Sequence, residues 1–322
     1  MGQLRSGAGI AYSHRSERHR KSWNEGDDSY VSGPILITGG AGSVGRQLVE
    51  KFVDAGQSVR IFDLPQMDFS GLEDNDSIEI NKGDITNADD VTWSVDGVDA
   101  VLHLAAILPP NSERNRDVTF RVNVGGTENI IRALEKTNPD AMLVFTSSIS
   151  TYGDTSTKEP PVKVTNSQSA IDIYADSKIE GERIMRESYL TNTVSLRTAA
   201  IAVPAFLEPP DPWPFMEDQR VEMVHRDDVV DALFNAARTP DAGGKVFNIG
   251  GGSTWQLRGR DYVRDFYEFM GAPADEAVYR ESPGWVDWYD TEESQRVLKY
   301  QNRSYQHYAD EMRAIIEAMM AE

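Results

Sequence analysis

Residues 34–56 read PILITGGAGSVGRQLVEKFVDAG. An apolar run leads into a glycine cluster, and apolar residues then recur at helical spacing. The glycines at Gly39, Gly42 and Gly45 each have a physical task. One permits a tight turn, one lets a diphosphate approach the main chain, and one lets helix and strand pack closely. The N-terminus of the following helix offers free N–H groups to an anion. A Gly-rich loop alone is a weak signal; between a strand and a helix it predicts a dinucleotide site.

Working outward, SVRIFDL (58–64) is the next strand and places Asp63 about twenty residues beyond the loop. A carboxylate there binds a ribose 2′-hydroxyl and repels a 2′-phosphate, which favours NAD over NADP. SIEINKGDI (77–85), DAVLHLAA (99–106) and AMLVFTSS (141–148) read as further strands, and VTFRVNVGGTENIIRALEK (118–136) as a helix. Strands alternating with helices predict an α/β fold with a Rossmann-like, doubly wound parallel sheet.

The 322 residues contain no cysteine and five histidines. Disulfides and thiolate chemistry are therefore excluded, and no histidines stand at metal-ligand spacing, so no metal site is expected. No run is long enough to span a membrane. The formal net charge is −20. That field opposes nucleic acid, anionic membranes and anionic substrates alike. Arginine outnumbers lysine and aspartate is abundant, a surface that suits either a high-salt cell or simple solubility. Residues 1–32 are polar and charged without apolar period, and are expected to be disordered. They lack the apolar core of a secretory signal, and a cytoplasmic location is expected. MGQLRS formally matches a myristoylation pattern, but so short a match is better read as chance.

Several motifs follow one another in order: TGGAGSVG (Thr38 to Gly45), GDI (Gly83 to Ile85), HLAA (His103 to Ala106), NVGGT (Asn123 to Thr127), TSSISTYG (Thr146 to Gly153) and YADSK (Tyr174 to Lys178). On these, over roughly residues 34–250, the chain resembles the extended short-chain dehydrogenases/reductases of the NAD-dependent epimerase/dehydratase group. The resemblance implies NAD as cofactor, held by the loop with Ser43 and Val44 beside its glycines. It puts Asp84 and Ile85 at the adenine and Leu104, Ala105 and Ala106 along the groove. It puts Asn123, Thr146, Tyr174 and Lys178 near the nicotinamide half. The bland reading of Asp84 is a cap for the helix beginning near Ala88. His103 is read as a packed strand residue.

The resemblance also implies a catalytic set of Ser148, Tyr174 and Lys178. Residues four apart share a helix face, so by spacing alone Tyr174 and Lys178 could be a mere surface contact. A free phenol has a pKa of about 10, and a nearby ammonium favours the phenolate. Tyr174 would then take the proton from a substrate hydroxyl while Ser148 bonds the same oxygen. Dehydratases of this group carry Asp-Glu directly after the Ser or Thr, and decarboxylating relatives a Glu two positions on. Here Ile149 and Ser150 stand there, which leaves epimerisation through a transient ketone or plain dehydrogenation.

Residues 33–198 are expected to form the NAD-binding domain. Residues 199–322 should be mainly a smaller substrate-binding cap, with a segment near 223–250 returning to the first domain. Ala200 stands where nucleotide-sugar epimerases usually carry an Asn, and Arg220 is displaced by one residue from their phosphate-binding arginine. Trp213, Trp285, Trp288 and Tyr289 either stack on a ring of the substrate or pack the cap, and packing is preferred. Residues 307–320 read as a closing amphipathic helix. The helices near 116–137 and 171–189 match those relatives use to form a homodimer. The leading expectation is an NAD-dependent epimerase of a sugar or nucleotide sugar. The alternatives are an NAD-dependent dehydrogenase or reductase of a sugar, polyol or other secondary alcohol, and a dinucleotide-binding sensor without turnover.

Overall fold

The computed structural model describes residues 33–205 and 208–321. The N-terminal stretch expected to be disordered lies outside the described residues.

The apolar runs become strands β1 (Ile35–Thr38), β2 (Val59–Asp63), β3 (Ile78–Lys82), β4 (Ala100–His103), β5 (Met142–Ser148) and β6 (Thr193–Thr198). Between them lie α1 (Ser43–Asp54), α2 (Ala88–Val95), α3 (Arg116–Phe120), α4 (Gly126–Thr137) and α5 (Ile173–Glu187). Short strands β7 (Ala200–Ala202), β8 (Arg220–Val221) and β9 (Met223–His225) follow, then α6 (Arg226–Arg238) and β10 (Lys245–Ile249). The chain continues through β11 (Leu257–Arg258), α7 (Gly259–Phe269), α8 (Glu292–Leu298) and α9 (Tyr305–Met320).

The central sheet has seven strands in the order β10-β6-β5-β4-β1-β2-β3, and every pairing is parallel. A parallel sheet covered by helices on both faces needs continuous apolar strands. Accordingly β1 and β4 are buried at every position. On one face α1 packs on α6, where the rings of Phe52 and Phe234 sit 4.7 Å apart. Fully burying a side chain such as Phe52 contributes about 1.5–3 kcal/mol. On the other face α2, α4 and α5 cover the sheet, with Val91, Ile130, Leu134 and Met185 buried.

The order reverses between β1 and β4, and ligands of open α/β sheets bind beyond the strand ends at such a switch. The two ends are stitched together there. The Leu104 N–H donates to the Thr38 carbonyl at 3.1 Å, and the Ala105 N–H to Thr38 Oγ1 at 3.2 Å.

A second cluster lies outside the sheet. Trp213, Phe215, Tyr262, Phe266, Tyr308 and Met312 form an apolar centre for α7 and α9. Trp213 meets Tyr262 and Phe266 edge-on, and Tyr289 is buried and stacks on Tyr152. Both therefore pack as core. Trp288 is only partly covered; its ring N–H donates to the Leu257 carbonyl.

Candidate active site

The loop from Gly39 to Gly45 is shaped by what its residues lack. Gly39 has φ of 73°, and a Cβ there would lie 3.0 Å from the Ala105 nitrogen. Positive φ is easy only for glycine. A Cβ at Gly45 would lie 2.3 Å from the Gly39 carbonyl oxygen, so α1 presses on the loop only because Gly45 is bare. Gly42 caps α1 without any side chain reaching the first turn. Its amides are thus left for an anion.

Above this loop lies a cavity of about 440 Å³. Gly39, Gly42, Ser43, Val44 and Gly45 form its floor. Asp63, Asp84 and Ile85 line one side and Leu104, Ala105 and Ala106 another. Those eleven predicted positions are therefore brought together. The wall also contains residues that the motif reading did not single out: Phe62, Leu64, Met67, Ile107, Leu108 and Val122. Their signal was weak, because each is an apolar residue beside a motif rather than in it.

The Asp63 carboxylate is anchored by the N–H groups of Ala41 (3.0 Å) and Leu64 (2.9 Å). Arg46 lies nearby but is committed elsewhere: it donates to the carbonyls of Ala41, Asp68 and Ser70. Asp84 does not cap α2. Asn87 does so, accepting from the Asp89 N–H, while Asp84 accepts from the Thr86 N–H and hydroxyl within its own turn.

Asn123, Thr146, Ser148, Tyr174 and Lys178 do not line this cavity. Of these, Asn123 is joined to the Ile107 end of the cavity by hydrogen bonds. Asn123 accepts from the Ile107 N–H at 2.7 Å and donates to the Ile107 carbonyl at 3.1 Å. It also donates to Ser177 Oγ at 3.0 Å, which in turn donates to the Tyr174 carbonyl at 2.7 Å. Asn123 sits in a π-helical turn, Arg121–Gly125, a distortion frequent at functional sites.

Helix α5 carries Tyr174 and Lys178 and is fixed at both ends of this segment. Asp172 caps it through the Ala175 N–H at 2.7 Å. Glu113, from the turn after β4, accepts from the N–H groups of Ile173 and Tyr174. Further along, a Cβ on Gly181 would lie 2.6 Å from the Phe145 ring, so α5 lies tightly on β5. Lys178 is buried and donates to the Thr146 carbonyl at 2.7 Å. Its ammonium stands 5.6 Å from the centre of the Tyr174 ring. The Tyr174 hydroxyl has no hydrogen-bond partner among the described residues.

The electrostatics correct one expectation. In the chain by itself the phenol is not made more acidic. Burial, and then the Asp172 carboxylate, push Tyr174 well above the ordinary phenol range. Burial also pushes the Lys178 ammonium down, to about 8, with Glu182 pulling the other way. His103 is buried between the hydroxyls of Thr38 (2.7 Å) and Thr127 (3.0 Å). Burial, and then Lys178, hold it down to about 3, so it is a neutral packed residue.

Behind Lys178 lies a buried ion pair that the sequence reading did not find. Arg197 on β6 grips Glu182 on α5 through two hydrogen bonds, 2.9 and 2.7 Å. Glu182 also accepts from Ser147 Oγ at 2.5 Å and Gln168 at 3.0 Å. Arg197 continues to the Tyr152 hydroxyl at 2.8 Å.

Arg220 is held through its Nε and Nη2. It binds both Asp287 carboxylate oxygens and the carbonyls of Thr155, Ser156 and Lys158.

The sequence model of a family described as "NAD dependent epimerase/dehydratase family" matches residues 35–210. The chain belongs to the NAD-dependent epimerase/dehydratase family. The family is NAD-dependent, and NAD is the cofactor of this chain. The cradle fits the cofactor, since a glycine-floored loop and an uncapped helix N-terminus are what a dinucleotide diphosphate requires.

Among curated relatives, the chain is 33% identical over 167 residues to a 3 beta-hydroxysteroid dehydrogenase/Delta 5-->4-isomerase of Mycobacterium tuberculosis. That match spans 50% of this chain and 44% of the relative. It is 29% identical over 147 residues to a decarboxylating sterol-4-alpha-carboxylate 3-dehydrogenase of Homo sapiens, 46% of this chain and 38% of the relative. The chain thus spans less than half the length of these curated relatives. Among solved structures, a UDP-glucose 4-epimerase of Thermotoga maritima with UDP-glucose matches with TM-score 0.74 and 21% identity, over 89% of this chain and 99% of that one. An Agrobacterium tumefaciens short-chain dehydrogenase/reductase superfamily protein with bound NAD matches with TM-score 0.72 and 22% identity, over 89% and 98%. At such identities the likeness concerns the fold.

Proposed function

We propose that the chain oxidises a secondary alcohol with NAD, with Tyr174 as acid/base, Ser148 on the reacting oxygen and Lys178 as the supporting cation. The observation that carries this reading is the placement of Lys178. Its ammonium bridges the end of β5, two residues before Ser148, to the ring of Tyr174. Asn123 ties that assembly to the Ile107 end of the cavity. The bound cofactor supplies the hydride acceptor. The proton of the alcohol passes to the Tyr174 oxygen as the carbonyl forms.

Net dehydrogenation is favoured over the epimerisation of a nucleotide sugar. Arg220 is held by Asp287 and main-chain carbonyls, and Ala200 offers no polar side chain. Two large apolar side chains, Leu108 and Ile171, are 57% and 45% exposed. One opens the turn that carries Glu113, and the other directly precedes the Tyr174 helix. They suit a substrate with an apolar skeleton, in keeping with the steroid enzymes among the relatives. The full-length likeness to a UDP-glucose 4-epimerase keeps epimerisation as the second reading.

The test is incubation with NAD and, separately, a 3β-hydroxysteroid, UDP-glucose and simple polyols, following NADH absorbance and product stereochemistry. NADH formed with the steroid supports the proposal. Epimer formed from UDP-glucose without NADH overturns it in favour of the second reading.

The homodimer is also proposed. In this chain the helices concerned carry ion pairs on their exposed sides, Arg132 with Glu128 and Arg183 with Glu180 and Glu187. Light scattering that gives a monomer mass would refute it.

A further inference from the structure

The turn that follows β5 holds Ser148 against Ser150. Ser148 Oγ accepts two hydrogen bonds, from the Ser150 N–H at 3.1 Å and from Ser150 Oγ at 2.9 Å. Ser150 is buried, at 1% exposure, while Ser148 just reaches the surface at 8%. The turn is held further by Thr151 Oγ1, which donates to the Ser148 carbonyl at 2.7 Å.

A serine hydroxyl has one proton and two lone pairs. Here both lone pairs of Ser148 are taken from below by one residue. What remains for the cleft is the O–H itself. We propose that Ser150 is a positioning residue that fixes Ser148 as a hydrogen-bond donor to the reacting oxygen. The opposite polarity, with Ser148 donating to Ser150, would turn a lone pair to the cleft and let it compete for the substrate proton.

The consequence for the proposed reaction, on which this inference rests, is a division of labour. When the alcohol is oxidised, its C–H hydrogen leaves with both electrons for the cofactor. Its O–H proton goes to the Tyr174 oxygen, whose ionised form the positive charge of the bound oxidised cofactor would favour, and the new carbonyl oxygen keeps the Ser148 hydrogen bond. In reduction the same donor stabilises the negative charge developing on that oxygen, a role that gains strength where water is excluded. Two acceptors at one oxygen would leave that charge unsupported. The donor assignment therefore makes Tyr174 the sole acceptor of the substrate proton.

Two experiments test this. Neutron diffraction from deuterated crystals of the full chain reads the hydroxyls directly and needs no substrate. The Ser150 deuterium is expected to point at Ser148 Oγ, with the Ser148 deuterium turned away from Ser150. A Ser148 deuterium directed at Ser150 overturns the inference. The second is a double-mutant cycle with NAD and a 3β-hydroxysteroid as probes. Ser150→Ala is expected to lower kcat about tenfold, less than the 10²–10³-fold seen when such a donor is removed outright. KM for NAD should not change, Ser150→Thr should restore the rate, and Ser150→Ala should cost nothing more in a Ser148→Ala background. A loss that persists undiminished in that background overturns the inference. Absence of turnover with the steroid in the unmutated chain would count against the substrate reading, and the neutron map still decides the hydroxyl polarity.

Discussion

The Lys178 ammonium donates to the Thr146 carbonyl at 2.7 Å, while its distance to the centre of the Tyr174 ring is 5.6 Å. The cation is thus fixed first to the strand that carries Ser148 and only through space to the phenol. Burial pushes Lys178 down to about 8. A depressed lysine is charged below that pH and neutral above it. The rate of alcohol oxidation, kcat/KM, should therefore fall on the alkaline side with an apparent pKa near 8. The profile belongs to the Tyr174–Lys178 pair rather than to either group. A kcat/KM still rising at pH 10 would contradict the assignment.

The same depression bears on stability. A lysine whose folded pKa lies below its unfolded value adds stability present above about 10.4 and lost as pH falls through the folded pKa. Lys178→Met should remove that dependence, so its stability relative to the unmutated chain improves as pH falls from 10 to 7. Urea titrations at those two pH values measure it, and an unchanged difference would refute the burial argument.

Gly45→Ala should abolish NAD binding and destabilise the domain, because the new Cβ would lie 2.3 Å from the Gly39 carbonyl oxygen. Gly56→Ala provides the control. Unlike Gly45 it has a positive φ, 76°, but nothing lies within 4 Å of the added atom. It should cost only about 1 kcal/mol of backbone strain and leave NAD affinity unchanged. Calorimetric titration of both variants checks the contrast; equal loss of binding would show that strain, not close approach, governs the loop.

Asp63 should exclude NADP. Its carboxylate is fixed by two main-chain N–H groups at the cavity wall, and Arg46, the nearby cation, is spent on carbonyls. Asp63→Ser should raise NADP affinity by about tenfold or more, since a like-charge clash across a site is worth 1.4 kcal/mol or more. Unaltered NAD/NADP selectivity would place the discrimination elsewhere.

Glu182 and Arg197 are 1% and 5% exposed. Breaking such a pair leaves a buried charge uncompensated and costs about 3–5 kcal/mol. Arg197→Met should show a loss of that size in urea unfolding. A loss below about 1 kcal/mol would mean that the pair relaxes to water.

What the sequence made legible was local. The strand, glycine loop and helix of residues 34–56 are one continuous pattern, and Asp63 sits one strand further at a spacing set by helix length. Long-range partners were not legible. Arg220 could be placed near a phosphate-binding position, but its commitment to Asp287, 67 residues away, depends on tertiary packing. The same holds for Glu113 on the Tyr174 amide, 61 residues apart. The acidity of Tyr174 was misjudged for a related reason: spacing gives the neighbour Lys178 but not the burial that raises the phenol. Trp213 was resolved toward packing only by its neighbours Tyr262 and Phe266.

The central claim is that the Tyr174 oxygen takes the substrate proton. Tyr174→Phe keeps the ring and removes only that oxygen. Calorimetry should show NAD bound within about threefold of the unmutated affinity, while NADH formation from a 3β-hydroxysteroid drops at least 10²-fold. Retention of full NADH formation by Tyr174→Phe would contradict the account.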